Sequence, residues 1–421
     1  MSRFSRAAGY AILSLLSALT GLVALVGVAT LTTKPALFLA LGWAAFALVY
    51  SLGCALVPFL RRQSAFCTAG FAALSLAGAG AMLWPLDGAP APPAPEAFEW
   101  TTLPSGARLA YIKLGVGTMS DATPVIFLHG GPGVAAMTDD ARHLGALAAG
   151  KRSVYLYDQL GAGRSTRLAD PSGYSLPRAV ADLDAFREAL HAPQVDLIGY
   201  SWGATLAAAY LSAHPSRVSK VVFVSPGGMF DSGGNAIDLL SQLDATHRWT
   251  VLRHIFEPRA FLTWALAQIN PRAAHAFASD AEMDSQFRVI VDALPPALYC
   301  NPPSDGEGAD PGFYAHAKLM RPEAWGGVDP HAALRALDTP ALILKGECDY
   351  LTWSSAIDYR DTLPNARMIY LPSAGHRLYA ERREAFVAAV TTFLDGRELP
   401  FPLTTRSRPP EGYRGPAGDA R

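Results

Sequence analysis

Charged side chains are missing from residues 7–33, 35–60 and 63–86. A helix without them for that length is not the surface element of a soluble domain, which carries polar positions on one face. Net charge is also lacking: 35 Lys and Arg against 36 Asp and Glu leave −1, which removes the basic bias of a nucleic-acid binder. The ten histidines show no metal-type spacing, so no metal site is expected. Gly161-Ala162-Gly163 follows a strand-like run but lacks the third glycine of a dinucleotide fingerprint, and no cofactor is expected either.

What the first region does have is length. Each uncharged run suffices for a helix to cross roughly 30 Å of hydrocarbon, so residues 1–87 are expected to form a membrane region with three transmembrane helices. A cleaved signal peptide is the alternative for the first run, because Arg3 and Arg6 precede an apolar stretch. A buried helical core is the other. Gly70, Gly78 and Gly80 suit close helix packing in lipid. Arg3, Arg6, Arg61 and Arg62 against Lys34 alone place the amino terminus in the cytoplasm. Three crossings then carry the rest of the chain to the extracytoplasmic side of a plasma (inner) membrane. Residues 88–96, rich in Pro and Ala, read as a stiff spacer.

Beyond the spacer, Gly199-Tyr200-Ser201-Trp202-Gly203 stands between the apolar run Val195–Ile198 and the helix-prone run Ala204–Ser212. That is the sequence form of a nucleophile elbow, a sharp strand-to-helix turn needing small residues on both sides. A serine hydroxyl is nearly unionised at neutral pH, so Ser201 needs a base and oxyanion donors. Asp349 follows the strand-like run Pro340–Gly346 and is the expected acid, with Glu347 as fallback. His376 follows the run Arg367–Leu371 and is the expected base. The order serine, acid, histidine is that of an α/β-hydrolase. Oxyanion donors are expected from the backbone of Trp202 and of Gly131, with Gly130 as runner-up, in the loop His129-Gly130-Gly131-Pro132-Gly133. His129 is expected to brace that loop rather than bind an ion.

Strand-like and helical runs alternate from Phe98 to Val224, which predicts a mostly parallel sheet covered by helices on both faces. The alternation stops after Gly228, and residues 229–325 read as a helical cap whose Trp249, Phe256, Phe261 and Trp264 either line a substrate pocket or pack its own helices. The hydrolase domain is expected over residues 97–398, Glu381-Arg382-Arg383-Glu384 as a solvated helix face, and residues 399–421 as a disordered tail. Cys54 and Cys67 fall in the uncharged runs. Cys300 and Cys348 pair as a disulfide pinning the acid's loop to the cap, or are two buried thiols.

The loop His129–Gly133, the segment Tyr157-Asp158-Gln159-Leu160-Gly161-Ala162-Gly163-Arg164-Ser165 and the elbow together resemble α/β-hydrolases of the proline iminopeptidase type, over residues from about 97 to 398. The resemblance implies an α/β-hydrolase fold with an inserted helical cap and Ser201, Asp349 and His376 as the triad. The chain departs from the family at Leu160, where arginine is usual, and at Tyr200, where glycine is usual. The family holds a substrate amine with cap-side carboxylates, for which Asp231, Glu257, Glu282 and Asp284 are the candidates.

The leading function is a membrane-anchored serine hydrolase cutting an ester or amide in a small molecule or short peptide, with the lipid bilayer as its other partner. A small-molecule sensor using the hydrolase fold as a binding module is the alternative. Transport is weaker, because the three spans offer no ionisable path.

Overall fold

The computed structural model describes residues 3–56, 64–86, 98–115, 123–149, 152–230, 239–302, 308–327 and 329–418. The expected spacer at 88–96, the candidate Asp231 and the pair Arg61 and Arg62 lie outside the described residues. The chain divides into two compact units, one of Met1–Ala89, Ala169–Pro171 and Ile255–Met283, the other of the remaining residues.

The first unit holds α1 (Arg3–Ala29), α2 (Pro35–Leu56) and α3 (Ser64–Leu83). Pro35 opens α2, a position where a missing N–H costs nothing. The helical segments Ala8–Ala29 and Pro35–Leu56 are long and apolar enough to cross a membrane, whereas the apolar run of α3, Cys67–Leu83, is shorter. Of the glycines expected to pack closely, Gly70 does, since a Cβ there would stand 2.5 Å from the Tyr50 hydroxyl, and Gly21 and Gly42 join it. A Cβ on Gly21 would stand 2.9 Å from Phe46 Cβ and one on Gly42 2.7 Å from Leu25 Cβ, while Gly78 and Gly80 have nothing within 4 Å. The segment read as one cap is divided: its helices Pro258–Ile269 and Pro271–Phe277 belong to this first unit.

The second unit is built on an eight-stranded sheet. Its strands are β1 (Glu99–Thr102), β2 (Arg108–Leu114), β3 (Val125–Leu128), β5 (Val154–Tyr157), β6 (Val195–Tyr200), β7 (Val218–Val224), β9 (Ala341–Gly346) and β10 (Ala366–Leu371). They lie in the order β1-β2-β5-β3-β6-β7-β9-β10. β1 and β2 run antiparallel, and every pairing from β5 across to β10 is parallel. Residues of β3, β5, β6 and β9 are buried throughout, as strands covered on both faces must be. Phe127, Ile198, Val222, Leu344 and Phe386 are core members at 0–1% exposure. A small antiparallel pair, β4 (Val134–Ala135) with β8 (Asp310–Pro311), ties the loop after β3 to the cap segment.

The carboxy-terminal segment is seated rather than loose. Leu403 bridges Ile369 on the edge strand β10, Thr404 N–H donates to Met368 O at 2.8 Å, and Arg414 N–H donates to Glu347 O at 3.0 Å. Tyr413 packs edge-on to Trp353 at 5.2 Å. Main-chain partners on the sheet edge at β10 and in the loop after β9 supply this order, and they leave no apolar period in the sequence.

Candidate active site

Ser201 sits at the junction of β6 and the helix Trp202–Ala213 with φ 54° and ψ −114°. A non-glycine residue there is strained by about 1–3 kcal/mol and persists only where its surroundings fix it. The fixing bonds are backbone: Ser201 N–H donates to Val224 O at 3.0 Å, and Ser201 O accepts from Ala204 and Gly227. The elbow also needs room, since a Cβ on Gly203 would stand 2.0 Å from Leu128 O. Trp202 opens the helix, so its N–H has no carbonyl one turn back to bind.

The loop after β3 lies against this elbow. A Cβ on Gly130 would come within 3.1 Å of Ser201 Cβ, so Gly130 is the residue packed beside the serine. Gly131, at φ 120°, makes the turn that follows and precedes the cis Pro132. His129 braces the loop as expected: its Nδ1–H donates to Gly130 O at 2.8 Å and its Nε2 accepts from Gln159 N–H at 3.0 Å. Burial pushes this imidazole down to about 4, so it stays neutral and the tautomer is fixed. Gln159 completes the link, donating to His129 O at 2.9 Å and accepting from the Trp202 indole at 3.1 Å. Asp158 Oδ2 accepts from Arg164 N–H at 2.7 Å and holds the neighbouring turn. His316 Nδ1 bonds Pro132 O at 2.8 Å from the cap side.

Asp349 follows β9 and is fully buried. Its Oδ1 takes His376 Nδ1–H at 2.7 Å and Leu351 N–H at 3.1 Å. Its Oδ2 takes the ammonium of Lys345, itself fully buried, at 2.8 Å. Burial opposes ionisation of this carboxyl, but Lys345 and then His376 outweigh it and hold Asp349 well below the usual carboxylate range. The fallback acid Glu347 faces elsewhere, accepting from Ser373 N–H at 2.9 Å.

The structure joins His376 to Asp349 directly and brings Ser201 to the same place through Tyr350. The Tyr350 ring meets the His376 imidazole edge-on at 4.5 Å, and burial pushes its hydroxyl up while the nearby Ser201 side chain acts in the opposite direction. Tyr200 flanks the imidazole at 5.0 Å on its other contact. The His376 loop is itself held down. His376 N–H donates to Leu298 O at 2.7 Å, and Arg377 and Tyr379 both bond Asp140 Oδ1, at 2.6 and 2.7 Å.

Lys345, Tyr350 and Glu381 were missed from sequence. Lys345 had a signal, a lone charge inside an otherwise apolar buried strand four residues before the acid. Glu381 corrects the solvated-face reading: its carboxylate accepts from Gly375 N–H at 2.5 Å, Asn301 N–H at 2.8 Å and Cys300 N–H at 3.3 Å. The cap carboxylates are likewise engaged. Glu257 caps a helix through Ala260 N–H at 2.7 Å, Glu282 pairs with Arg259, and Asp284 binds Arg167 at 3.0 Å and Phe313 N–H at 2.7 Å. The cap aromatics are largely exposed, Trp249, Phe256, Phe261 and Trp264 at 67, 63, 42 and 48%, with Phe256, Phe261 and Trp264 packed on one another as the second reading expects.

Cys300 and Cys348 form a disulfide across a separation of 48 residues, which decides between the two open readings. It ties the residue before Asp349 to the segment that holds His376 N–H. Closing a loop of this length should contribute about 4 kcal/mol. Replacing Cys300 and Cys348 with serine is therefore expected to lower the urea midpoint. The denatured, unreduced chain should show only the thiols of Cys54 and Cys67; a thiol count that stays the same on reduction would exclude the bridge.

A family model for the α/β hydrolase fold matches residues 123–382. The chain is 28% identical over 295 residues to a proline iminopeptidase of Levilactobacillus brevis, covering 69% of this chain and 95% of that protein. It is 44% identical over 123 residues to a proline iminopeptidase of Heyndrickxia coagulans, covering 29% of this chain and 41% of that protein. A crystal structure of a Mycobacterium smegmatis proline iminopeptidase aligns with TM-score 0.47 and 23% identity, covering 71% of this chain and 98% of that one. The chain belongs to the α/β hydrolase fold family and is a serine hydrolase.

Proposed function

We propose that this protein is a membrane-anchored hydrolase of esters or amides that works through Ser201, His376 and Asp349. One observation carries the reading: His376 Nδ1–H is committed to Asp349 Oδ1 at 2.7 Å beside a serine held at positive φ on an elbow. With Nδ1 protonated, Nε2 keeps its lone pair for the Ser201 proton. Ser201 Oγ attacks the substrate carbonyl as His376 takes that proton, and Asp349 stabilises the imidazolium that forms. The N–H groups of Trp202 and Gly131 receive the oxyanion. His376 then returns the proton to the leaving group, and water repeats the sequence on the acyl-enzyme.

Two long apolar helices near the amino terminus support anchoring in a membrane. The Cys300–Cys348 bridge supports an extracytoplasmic location for the site, because such bridges persist in oxidising compartments. The relatives named proline iminopeptidases support a small acyl donor such as an aminoacyl amide or ester. The engaged state of Glu257, Glu282 and Asp284 favours esters, since among the described residues these candidates offer a substrate amine no spare carboxylate.

The test is a panel of prolyl and alanyl arylamides beside short and medium acyl esters, with the full chain in detergent. Ester turnover is expected to exceed arylamide turnover. A strong preference for prolyl arylamide would restore the iminopeptidase reading and require an amine-binding carboxylate elsewhere. No turnover of either class would defeat the proposal.

A further inference from the structure

We propose that the helix Pro258–Ile269 lies in the membrane–water interface, with Phe256, Phe261, Trp264 and Ile269 set among lipid headgroups and upper acyl chains. The inference rests on the membrane-anchored reading and concerns the first compact unit alone. It begins with where this helix is attached. Arg259 Nη1 donates to Met82 O, in the last turn of α3, at 2.6 Å. Leu86 N–H, just past α3, donates to Glu282 Oε1 at 3.0 Å. Asn270 Nδ2 donates to Ala29 O, the last residue of α1, at 2.9 Å. Phe277 packs against Phe38, in the first turn of α2, at 6.0 Å. The end of α1, the start of α2 and the end of α3 thus meet one segment, which puts these helix ends at one level.

The helix divides cleanly by face. Arg259, Leu262, Thr263, Leu266 and Ala267 are buried, whereas Phe261, Trp264 and Ile269 are 42, 48 and 49% exposed. Phe256, 63% exposed, extends the row. Phe256 and Phe261 stand 5.9 Å apart and Phe261 and Trp264 6.0 Å apart, so the rings form one continuous apolar strip. A strip of this kind on a soluble surface marks an interaction site, and aromatic rings concentrate where hydrocarbon gives way to headgroups. Charge is managed to match. Arg259 is neutralised by Glu282 and covered by the Phe277 ring at 4.2 Å, while Lys34 is exposed in the loop between α1 and α2. Trp84, 78% exposed just beyond α3, adds a ring near the same end. An apolar face on helix ends that already enter lipid is continuous with the bilayer surface, which makes lipid the occupant rather than a second protein.

The test uses the full chain in nanodiscs of mixed phosphatidylcholine and phosphatidylglycerol, with Cys54→Ser and Cys67→Ser. A nitrobenzoxadiazole label is placed at Trp264→Cys or, in a second variant, at Phe261→Cys. A reference label at Leu48→Cys, on the exposed side of α2, reports the membrane span itself. Quenching of the 264 and 261 labels by a headgroup-attached nitroxide is expected to exceed mid-chain quenching about twofold, as suits a helix lying 5–10 Å deep. The label at 48 should show the reverse preference. Quenching at 48 with none at 264 and 261 would overturn the interfacial helix and leave the anchor intact. Stronger mid-chain quenching at 264 would overturn it too, by placing the segment in the hydrocarbon core. No quenching at any of the three sites would overturn the anchored reading and this inference together.

Discussion

Ser201→Ala is expected to lower kcat/KM by roughly 10⁴–10⁶ and to abolish labelling by a fluorophosphonate probe. The size follows from the division of labour at the site. On the proposed mechanism, loss of the hydroxyl leaves the His376–Asp349 pair and the oxyanion donors no nucleophile to serve, and only binding and oxyanion stabilisation remain. The fold should survive, because the elbow is held by backbone bonds to Val224, Ala204 and Gly227 that the substitution leaves in place. Ser201→Gly separates the chemical loss from the structural one. It should be equally inactive yet more resistant to urea, because glycine relieves the strain of φ 54° at this position. The two measurements are turnover and urea midpoint. Turnover by Ser201→Ala within tenfold of the native chain would remove Ser201 from the mechanism, whereas a lower midpoint for Ser201→Gly would remove only the strain argument.

What the sequence made legible is local. Each chemical group at this site sits within a few residues of a strand end, so an apolar run followed by Gly, Ser, Asp or His was enough to place Ser201, Asp349, His376 and the His129 loop on the sheet. The strands themselves were legible because parallel strands buried on both faces carry few charges, and none in β3 and β5. What stayed hidden depends on partners far along the chain. Glu381 looks like any carboxylate of a charged helix until Gly375, Cys300 and Asn301 turn their amides toward it. Residues 403–417 are held through main-chain bonds to β10, Glu347, Trp353 and Ser354 and so carry no hydrophobic period. The cap could not be divided from sequence because Pro258–Phe277 owes its place to the ends of α1, α2 and α3, more than 170 residues away by the Arg259–Met82 bond. Tyr350 was passed over because an aromatic beside an acid has no motif; only its contacts with His376 and Ser201 mark it.

The other large effect is expected at Lys345. Its ammonium is fully buried and makes two bonds, to Asp349 Oδ2 and to Leu351 O, each at 2.8 Å. Replacing it with methionine keeps much of the volume and leaves the Asp349 carboxylate buried with one cationic partner fewer, which should cost about 3–5 kcal/mol near neutral pH. The pH dependence distinguishes this from a packing defect. In the native chain Asp349 is held below its ordinary value, so its contribution is complete above about pH 4 and is lost only as pH falls through the depressed folded value. In Lys345→Met, burial, the largest influence on this carboxyl, loses its main counterweight, so the folded value is expected to move up despite the bonds from His376 and Leu351. Protonation then relieves the stranded charge, and the variant should regain stability relative to the native chain as pH falls from about 8 to 5. Adding Asp349→Asn should recover most of the loss at every pH, since it removes the charge that Lys345 was balancing. Activity should fall with stability in the single variant, because a protonated Asp349 no longer accepts His376 Nδ1–H in the same way, and the double variant should recover stability without activity. A Lys345→Met chain whose urea midpoint matches the native one at pH 8 would show that the buried ammonium is not what holds Asp349 ionised.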